Sequence, residues 1–121
     1  MSPAEDAALL LGIVERHLVV LRLGLGDEFP EEEWGFLAQQ ATEKLLKAVI
    51  VAANQAPPRS HDLDKLASAA GVAMAEALLD LQVFAVEARY EEGPFPLPAS
   101  KTELLGMIEQ LRQEIQGLIC S

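Results

Sequence analysis

Two stretches of this chain carry the side chains best able to do chemistry, and the first is a polar face on a predicted helix. Gln40, Lys44 and Lys47 are spaced three or four residues apart, so they share that face. Two ammonium groups on one face could bind a nucleotide phosphate as point charges. Glu43 precedes Lys47 by four residues, the order that favours an ion pair, so a solvated surface pair is the alternative interpretation.

The second stretch is the start of the next predicted helix, directly after Pro57-Pro58. Arg59, His61 and Asp62 lie close together there. The imidazole of His61 can shuttle a proton or contact a base at near-neutral pH. The alternative is structural, because His61 and Asp62 can complete the N-terminal cap of the helix.

Arg89 and Tyr90 are two further candidates, at the end of a later helical segment. A cation at that position can bind a ligand, or it can interact with the helix macrodipole and the last carbonyl groups. Tyr90 belongs with Trp34, Phe36 and Phe84, aromatic residues more typical of core or interface packing than of base stacking. No residue of the chain is assigned a catalytic role on this basis.

Helix start and stop signals are regular along the chain, and strand signals are nearly absent. Apolar residues recur at helical spacing between the signals. The pattern predicts an all-α fold, most simply an up-down four-helix bundle with an additional short helix. The signals are capping boxes at 2–5 and 100–103, stops at Gly24 and Gly26, a start after Pro30, a stop at Pro57-Pro58, an N-cap at Ser60, a separation at Gly71, an end near Arg89 or Tyr90, and a loop over 93–98.

Composition narrows the functional classes. The 121 residues form one domain, residues 1–121. Nineteen acidic residues against nine basic ones give a net charge of −10, which repels phosphate backbones and argues against nonspecific nucleic-acid binding. The single cysteine, Cys120, excludes an internal disulfide. No stretch reaches the roughly 20 apolar residues of a membrane span, so we expect a cytoplasmic protein.

Three stretches resemble the HEPN family, the higher eukaryotes and prokaryotes nucleotide-binding domains. Residues 40–48 look like the family's second-helix signature. Residues 57–63, followed by Leu66, look like its loop and third-helix start, and Ala88-Arg89-Tyr90 looks like the end of its fourth helix. The resemblance implies a helical binding module with a nucleotide as its ligand and no other cofactor. It also implies a homodimer that partners a minimal nucleotidyltransferase, as one half of a toxin–antitoxin-like pair.

The ribonuclease branch of this family uses an arginine followed by a histidine after four to six intervening residues, and that spacing is missing here. His61 stands two positions after Arg59, and prolines and a phenylalanine occupy the corresponding positions after Arg89. Glu91 and Glu92 also stand where the family often has proline. An enzyme is therefore not the expected function. The alternatives are a ribonuclease with a non-standard site at His61 and a purely structural helical dimer.

A metal-dependent phosphohydrolase is a further alternative for the dipeptide His61-Asp62, with His17 and Asp80 as additional ligands. Such sites need more histidines than the two present, so no metal site is predicted. A dimer has support from the first helix, which is apolar on more than one face. The residues outside its core stripe are Leu9, Leu11, Val19 and Val20.

Overall fold

The computed structural model describes residues 2–120, and for Arg89 the backbone alone. These residues form helices and no strand, so the all-α prediction is confirmed. In chain order the elements are α1 (Pro3–Leu23), α2 (Glu31–Ala52), α3 (Leu63–Ala70), α4 (Glu76–Leu79), a 3₁₀ helix (Asp80–Phe84), α5 (Glu87–Tyr90) and α6 (Lys101–Cys120). The first two helices and the last are long, and they carry most of the core.

α1 and α2 form an antiparallel hairpin with a well-packed interior. Val14, Leu18 and Leu21 of α1 are fully buried, as their helical spacing predicted. Trp34 in the first turn of α2 is also fully buried, and its indole Nε1 donates to the carbonyl of Leu21 at 3.0 Å. This bond satisfies a carbonyl in the last turn of α1 and closes the end of the hairpin.

α6 runs antiparallel to α1 and is joined to it by ion pairs. Arg112 pairs with Glu15 at 3.0 Å, and Arg22 pairs with Glu109 at 3.2 Å. At the start of α6 the Nζ of Lys101 donates to three backbone carbonyls of the α1–α2 loop, at 2.7 to 2.9 Å. The lysine thereby gives three main-chain carbonyl groups of the loop a charged hydrogen-bond donor.

The predicted stop of α2 at Pro57-Pro58 comes too late, because α2 ends at Ala52. Asn54 adopts a left-handed conformation with φ of 59°, which asparagine tolerates better than most residues. The amide of Gln55 then donates to the carbonyl of Ile50 at 3.1 Å. This pairing is a Schellman motif, so the chain leaves the helix before either proline is reached.

The predicted N-cap of α3 at Ser60 is also wrong, because Asp62 caps the helix. The Asp62 carboxylate accepts from the amide of Asp64 at 3.0 Å. Ser60 acts one step earlier, and its Oγ accepts from the amide of Asp62 at 3.0 Å. The structural interpretation of Asp62 from the sequence is therefore confirmed.

The predicted long helix between Gly71 and Tyr90 is instead three short segments. The backbone at Val86 has φ of −129° and ψ of −65°, which interrupts helical geometry. The tighter 3₁₀ turn places the Phe84 ring against the backbone of Gly35. A β-carbon at Gly35 would lie 2.7 Å from that ring. This tertiary contact outweighs the helical periodicity of the sequence.

The outward face of α1 is partly apolar, in agreement with three of the four residues named from the sequence. Leu9, Val19 and Val20 are exposed, whereas Leu11 packs against the core. Dimerisation through this face stays a prediction. No helix within residues 2–120 is both long enough and apolar enough to cross a membrane.

Candidate functional site

Lys47 of the predicted polar face and His61 of the second predicted stretch meet at one buried carboxylate, that of Glu43. Only 2% of this residue is exposed. Its Oε1 accepts from Nε2 of Gln39 at 3.1 Å and lies 2.9 Å from Nδ1 of His61, while its Oε2 accepts from Nζ of Lys47 at 3.0 Å. A buried charge is tolerated when it is paired and hydrogen-bonded. We call Gln39, Glu43, Lys47 and His61 the Glu43 cluster.

The protonation state of Glu43 follows from these contacts. Burial raises the pKa of the Glu43 carboxyl, but hydrogen bonds from His61, Lys47 and Gln39, together with the charge of Lys47, outweigh burial and lower it below its ordinary value. Glu43 is therefore ionised at neutral pH and can only accept. Nδ1 of His61 must carry the hydrogen that joins them.

The hydrogen bond from Nδ1 of His61 to Glu43 leaves Nε2, the other ring nitrogen, available to a ligand. When the imidazole carries one hydrogen, on Nδ1, the lone pair is on Nε2. About 65% of the His61 side chain is exposed, although Glu43 is not. An imidazole oriented in this way can accept a hydrogen bond or a proton from a ligand.

The backbone of His61 is fixed by the elements on either side of it. Nε2 of Gln39 also donates to the carbonyl of His61, at 3.3 Å. The next residue, Asp62, is the N-cap of α3. The amide of Leu63 then donates to Oε1 of Gln82 in the 3₁₀ helix, at 2.8 Å. The break in the expected long helix thus supports the candidate site.

Two further hydrogen bonds extend the cluster along α2. Nε2 of Gln40 donates to Oε1 of Gln39 at 2.9 Å, and Nζ of Lys44 donates to Oε1 of Gln40 at 2.7 Å. Burial and the charge of Lys47 lower the pKa of the Lys44 ammonium, and the charge of Glu43 only partly opposes them. Lys44 is therefore a cation without full hydration, and an added anion would stabilise it.

His17 of α1 lies near Lys44, and the only role considered for it from the sequence was that of a metal ligand. Its Nε2 is buried and has no hydrogen-bond partner within the described part of the chain. Burial, followed by the charges of Lys44 and Arg16, lowers the pKa of the His17 imidazole. No spacing in the sequence joins α1 to α2 at this point, so only the packing of the hairpin reveals the neighbourhood.

Gln39 and Glu43 were not among the predicted ligand-binding residues, yet they hold the cluster together. Their signal was present in the sequence, because Gln39, Glu43 and Lys47 are each four residues apart and form one ladder on α2. The four-residue spacing predicted, as one alternative, a solvated surface ion pair of Glu43 and Lys47. The ion pair forms as predicted, but the Glu43 carboxylate is buried and not on the solvated surface.

The remaining candidates are dispersed. Asp62 turns its carboxylate to the start of α3, and Arg59 is exposed with no ion pair to a described residue. Tyr90 is exposed on α5, and the side chain of Arg89 lies outside the described residues. A ligand-binding role for these four residues stays a prediction. Within residues 2–120, no three histidine, cysteine or carboxylate side chains are grouped so as to hold a metal ion.

Comparison with protein families gave one match that covers this site. The family described as HEPN domain matches residues 30–117, which include α2, the Glu43 cluster and most of α6. Comparison with curated proteins and with solved structures gave no match. The family match extends over well more than half of the chain.

Proposed function

The chain belongs to the HEPN family, and on that premise we propose that it is a helical binding module whose α2 face holds the phosphate groups of a nucleotide. The observation that carries the proposal is a local excess of positive charge on a protein of net charge −10. Lys44 and Lys47 contribute two ammonium groups on this face, and Glu43 contributes one carboxylate. The nucleotide would bind with its phosphates at the lysines, and His61 Nε2 would accept a hydrogen bond from its sugar or base.

Partial desolvation of Lys44 favours such a ligand. An ammonium that has lost part of its hydration gains more from an incoming anion than a fully exposed one does. The existing partner of Lys44 is the neutral oxygen of Gln40, at 2.7 Å. A phosphate oxygen is a stronger acceptor than an amide oxygen, so exchange of one for the other stabilises the complex.

A thermal-shift titration with ATP, other nucleoside triphosphates and inorganic triphosphate tests this proposal. A ligand that binds only the folded state adds about 2.7 kcal/mol of stability at a hundredfold excess over its Kd, which raises Tm by several degrees. We expect Lys44→Gln and His61→Ala to reduce the rise. Lys65→Gln is the matched control, because it removes one exposed ammonium from α3. An unchanged Tm at millimolar ligand, or an equal rise in all variants, would exclude the site.

The second part of the proposal concerns assembly. A homodimer would cover the apolar residues on the outward face of α1, among which Leu9 and Val19 are exposed. A minimal nucleotidyltransferase is the proposed protein partner, on the ground of family membership. Sedimentation velocity of Leu9→Lys and Val19→Lys tests the dimer. Co-expression with a nucleotidyltransferase from a neighbouring reading frame, followed by gel filtration, tests the partner, and separate elution would contradict it.

A ribonuclease with a non-standard site is the second candidate, favoured by the Glu43–His61 hydrogen bond of 2.9 Å. His61 Nε2 would take the proton of a ribose 2′-hydroxyl, whose oxygen would attack the adjacent phosphorus and release the 5′-oxygen, which would take a proton from water. Cleavage of a fluorogenic RNA by the wild type, lost in His61→Ala without a change in Tm, would support it. Equal cleavage by both proteins would exclude His61.

A further inference from the structure

A groove opens beside the first turns of α2. It has a volume of about 490 Å³ and is lined by Phe29, Glu32, Glu33, Phe36, Leu37 and Ala88. We call it the acid-rimmed groove. Its lining is mainly apolar, with carboxylates from two adjacent residues of α2, so it matches an occupant that is both apolar and cationic.

Apolar surface continues from the groove past Phe29. That ring also lines a smaller hollow formed with Leu23, Gly26 and Glu28. Leu23 is 81% exposed, the highest value among the large hydrophobic residues of the described chain. Contiguous apolar surface of this kind marks a contact site for another protein more often than a chance exposure.

The charge around the groove is strongly negative. Five of the seven residues from 27 to 33 are acidic. Among the described side chains, which do not include that of Arg89, no cation forms an ion pair with Glu32 or Glu33. The nearby Lys101 forms no ion pair with either carboxylate, and its ammonium donates instead to three backbone carbonyls of the α1–α2 loop. The groove therefore attracts cations and repels phosphate.

We propose that the acid-rimmed groove binds a segment of a partner protein in which large apolar side chains are flanked by lysine or arginine. The apolar side chains would enter between Phe29 and Phe36, and the cations would pair with Glu32 and Glu33. Complementary charge of this kind speeds association and selects the partner. The inference rests on the proposed function only in requiring a protein partner. It is independent of nucleotide binding at the Glu43 cluster.

Fluorescence anisotropy with a labelled peptide tests the groove. The probe is three repeats of Leu-Lys-Lys-Leu, and the comparison peptides replace each lysine by glutamate or each leucine by serine. Wild-type protein should bind the first peptide and neither of the others. Glu32→Gln/Glu33→Gln should weaken binding by about tenfold, and Phe36→Ala should weaken it by a similar factor.

The matched control is Glu76→Gln/Glu114→Gln, which removes the same net charge from the region of α4 and α6. It should leave the affinity within twofold of the wild type. Equal weakening by both double variants would show that net charge alone attracts the peptide and would overturn the proposal, as would the absence of binding. Circular dichroism melting of each variant confirms that it is folded. Nucleotide titrations on the same proteins report separately on the Glu43 cluster.

Discussion

The Glu43 cluster and the acid-rimmed groove both take carboxylates from α2, and they use them in opposite ways. Glu43 is buried and hydrogen-bonded on both oxygens. Glu32 and Glu33 line an open groove and form no ion pair with any described side chain. The same residue type is thus internal structure at one place on the helix and recognition surface at another.

Position along α2 explains the difference. Glu43 lies in mid-helix, where the residues four before and four after it reach its oxygens and the α3 loop closes over it. Glu32 and Glu33 lie in the first turn, where the positive end of the helix macrodipole stabilises a carboxylate without any partner. A carboxylate stabilised by the helix itself remains open to a cation from another molecule.

The largest expected effect comes from Glu43→Ala. Removal of the carboxylate leaves donors on Gln39, Lys47 and His61 without their acceptor, and Lys47 without its counter-charge. Loss of one member of a buried, paired network costs about 3 kcal/mol. Urea unfolding at neutral pH should show this as a lower midpoint with an unchanged m-value.

Glu33→Ala is the matched control for that measurement, because it removes the same side chain from an exposed position of the same helix. We expect a cost below about 1 kcal/mol. If the two variants lost equal stability, the contrast between buried and open carboxylates on α2 would be wrong.

Gly35→Ala tests the contact between α2 and the 3₁₀ helix. Gly35 lies between Glu33 and Glu43 on α2. The added methyl group would lie 2.7 Å from the Phe84 ring, so that ring and its backbone must move. Overpacking of this kind costs about 2 kcal/mol. Gly106→Ala on α6 meets no atom within 4 Å and should instead stabilise the protein by a few tenths of a kcal/mol to about 1 kcal/mol. A Gly35→Ala protein with wild-type Tm would contradict the close packing.

Acid should destabilise the protein through Glu43. The pKa of the Glu43 carboxyl is lower in the folded state than in the unfolded chain, where it is near its ordinary value of 4.5. Below that pH the unfolded state binds the proton more readily, so stability falls as pH decreases. Each unit between the two pKa values corresponds to about 1.4 kcal/mol. Urea midpoints in the wild type should therefore fall more steeply between about pH 5 and pH 3 than in Glu43→Gln.

His17 provides the control for that pH dependence. The pKa of its imidazole is also lower in the folded protein, so it contributes stability that is present above pH 6.5 and lost as pH falls below it. His17→Leu should remove the loss between pH 6.5 and pH 5 and leave the steeper fall below pH 5. Identical profiles for wild type and Glu43→Gln would show that the cluster does not depress the carboxyl pKa.

Much of the fold was predictable because its signals are local. Capping at Ser2, the start after Pro30 and the left-handed Gly71 each depend on residues within one turn. The break between Gly71 and Tyr90 was not predictable, because it depends on the contact of Phe84 with Gly35, far apart in sequence.

In the candidate site, too, the local features were predictable from the sequence and the features that depend on tertiary packing were not. The ladder of Gln39, Glu43 and Lys47 is visible in the sequence as a four-residue spacing, and the pairing of Glu43 with Lys47 was expected. Two features were not visible, namely the burial of Glu43 and its bond to His61, because both require the loop before α3 to fold back on α2. The position of His17 near Lys44 likewise depends on helix packing.

The smallest expected effect on stability is that of Glu32→Gln/Glu33→Gln, and it sharpens the comparison most. Loss of two carboxylates at a helix N-terminus costs less than about 1 kcal/mol of macrodipole stabilisation, and relief of repulsion among the acidic residues from 27 to 33 offsets part of it. Urea unfolding should thus place this double variant within about 1 kcal/mol of the wild type, while its affinity for the Leu-Lys peptide falls about tenfold. A larger loss of stability would show that these carboxylates support the fold, and it would contradict the proposal that the groove is a recognition surface.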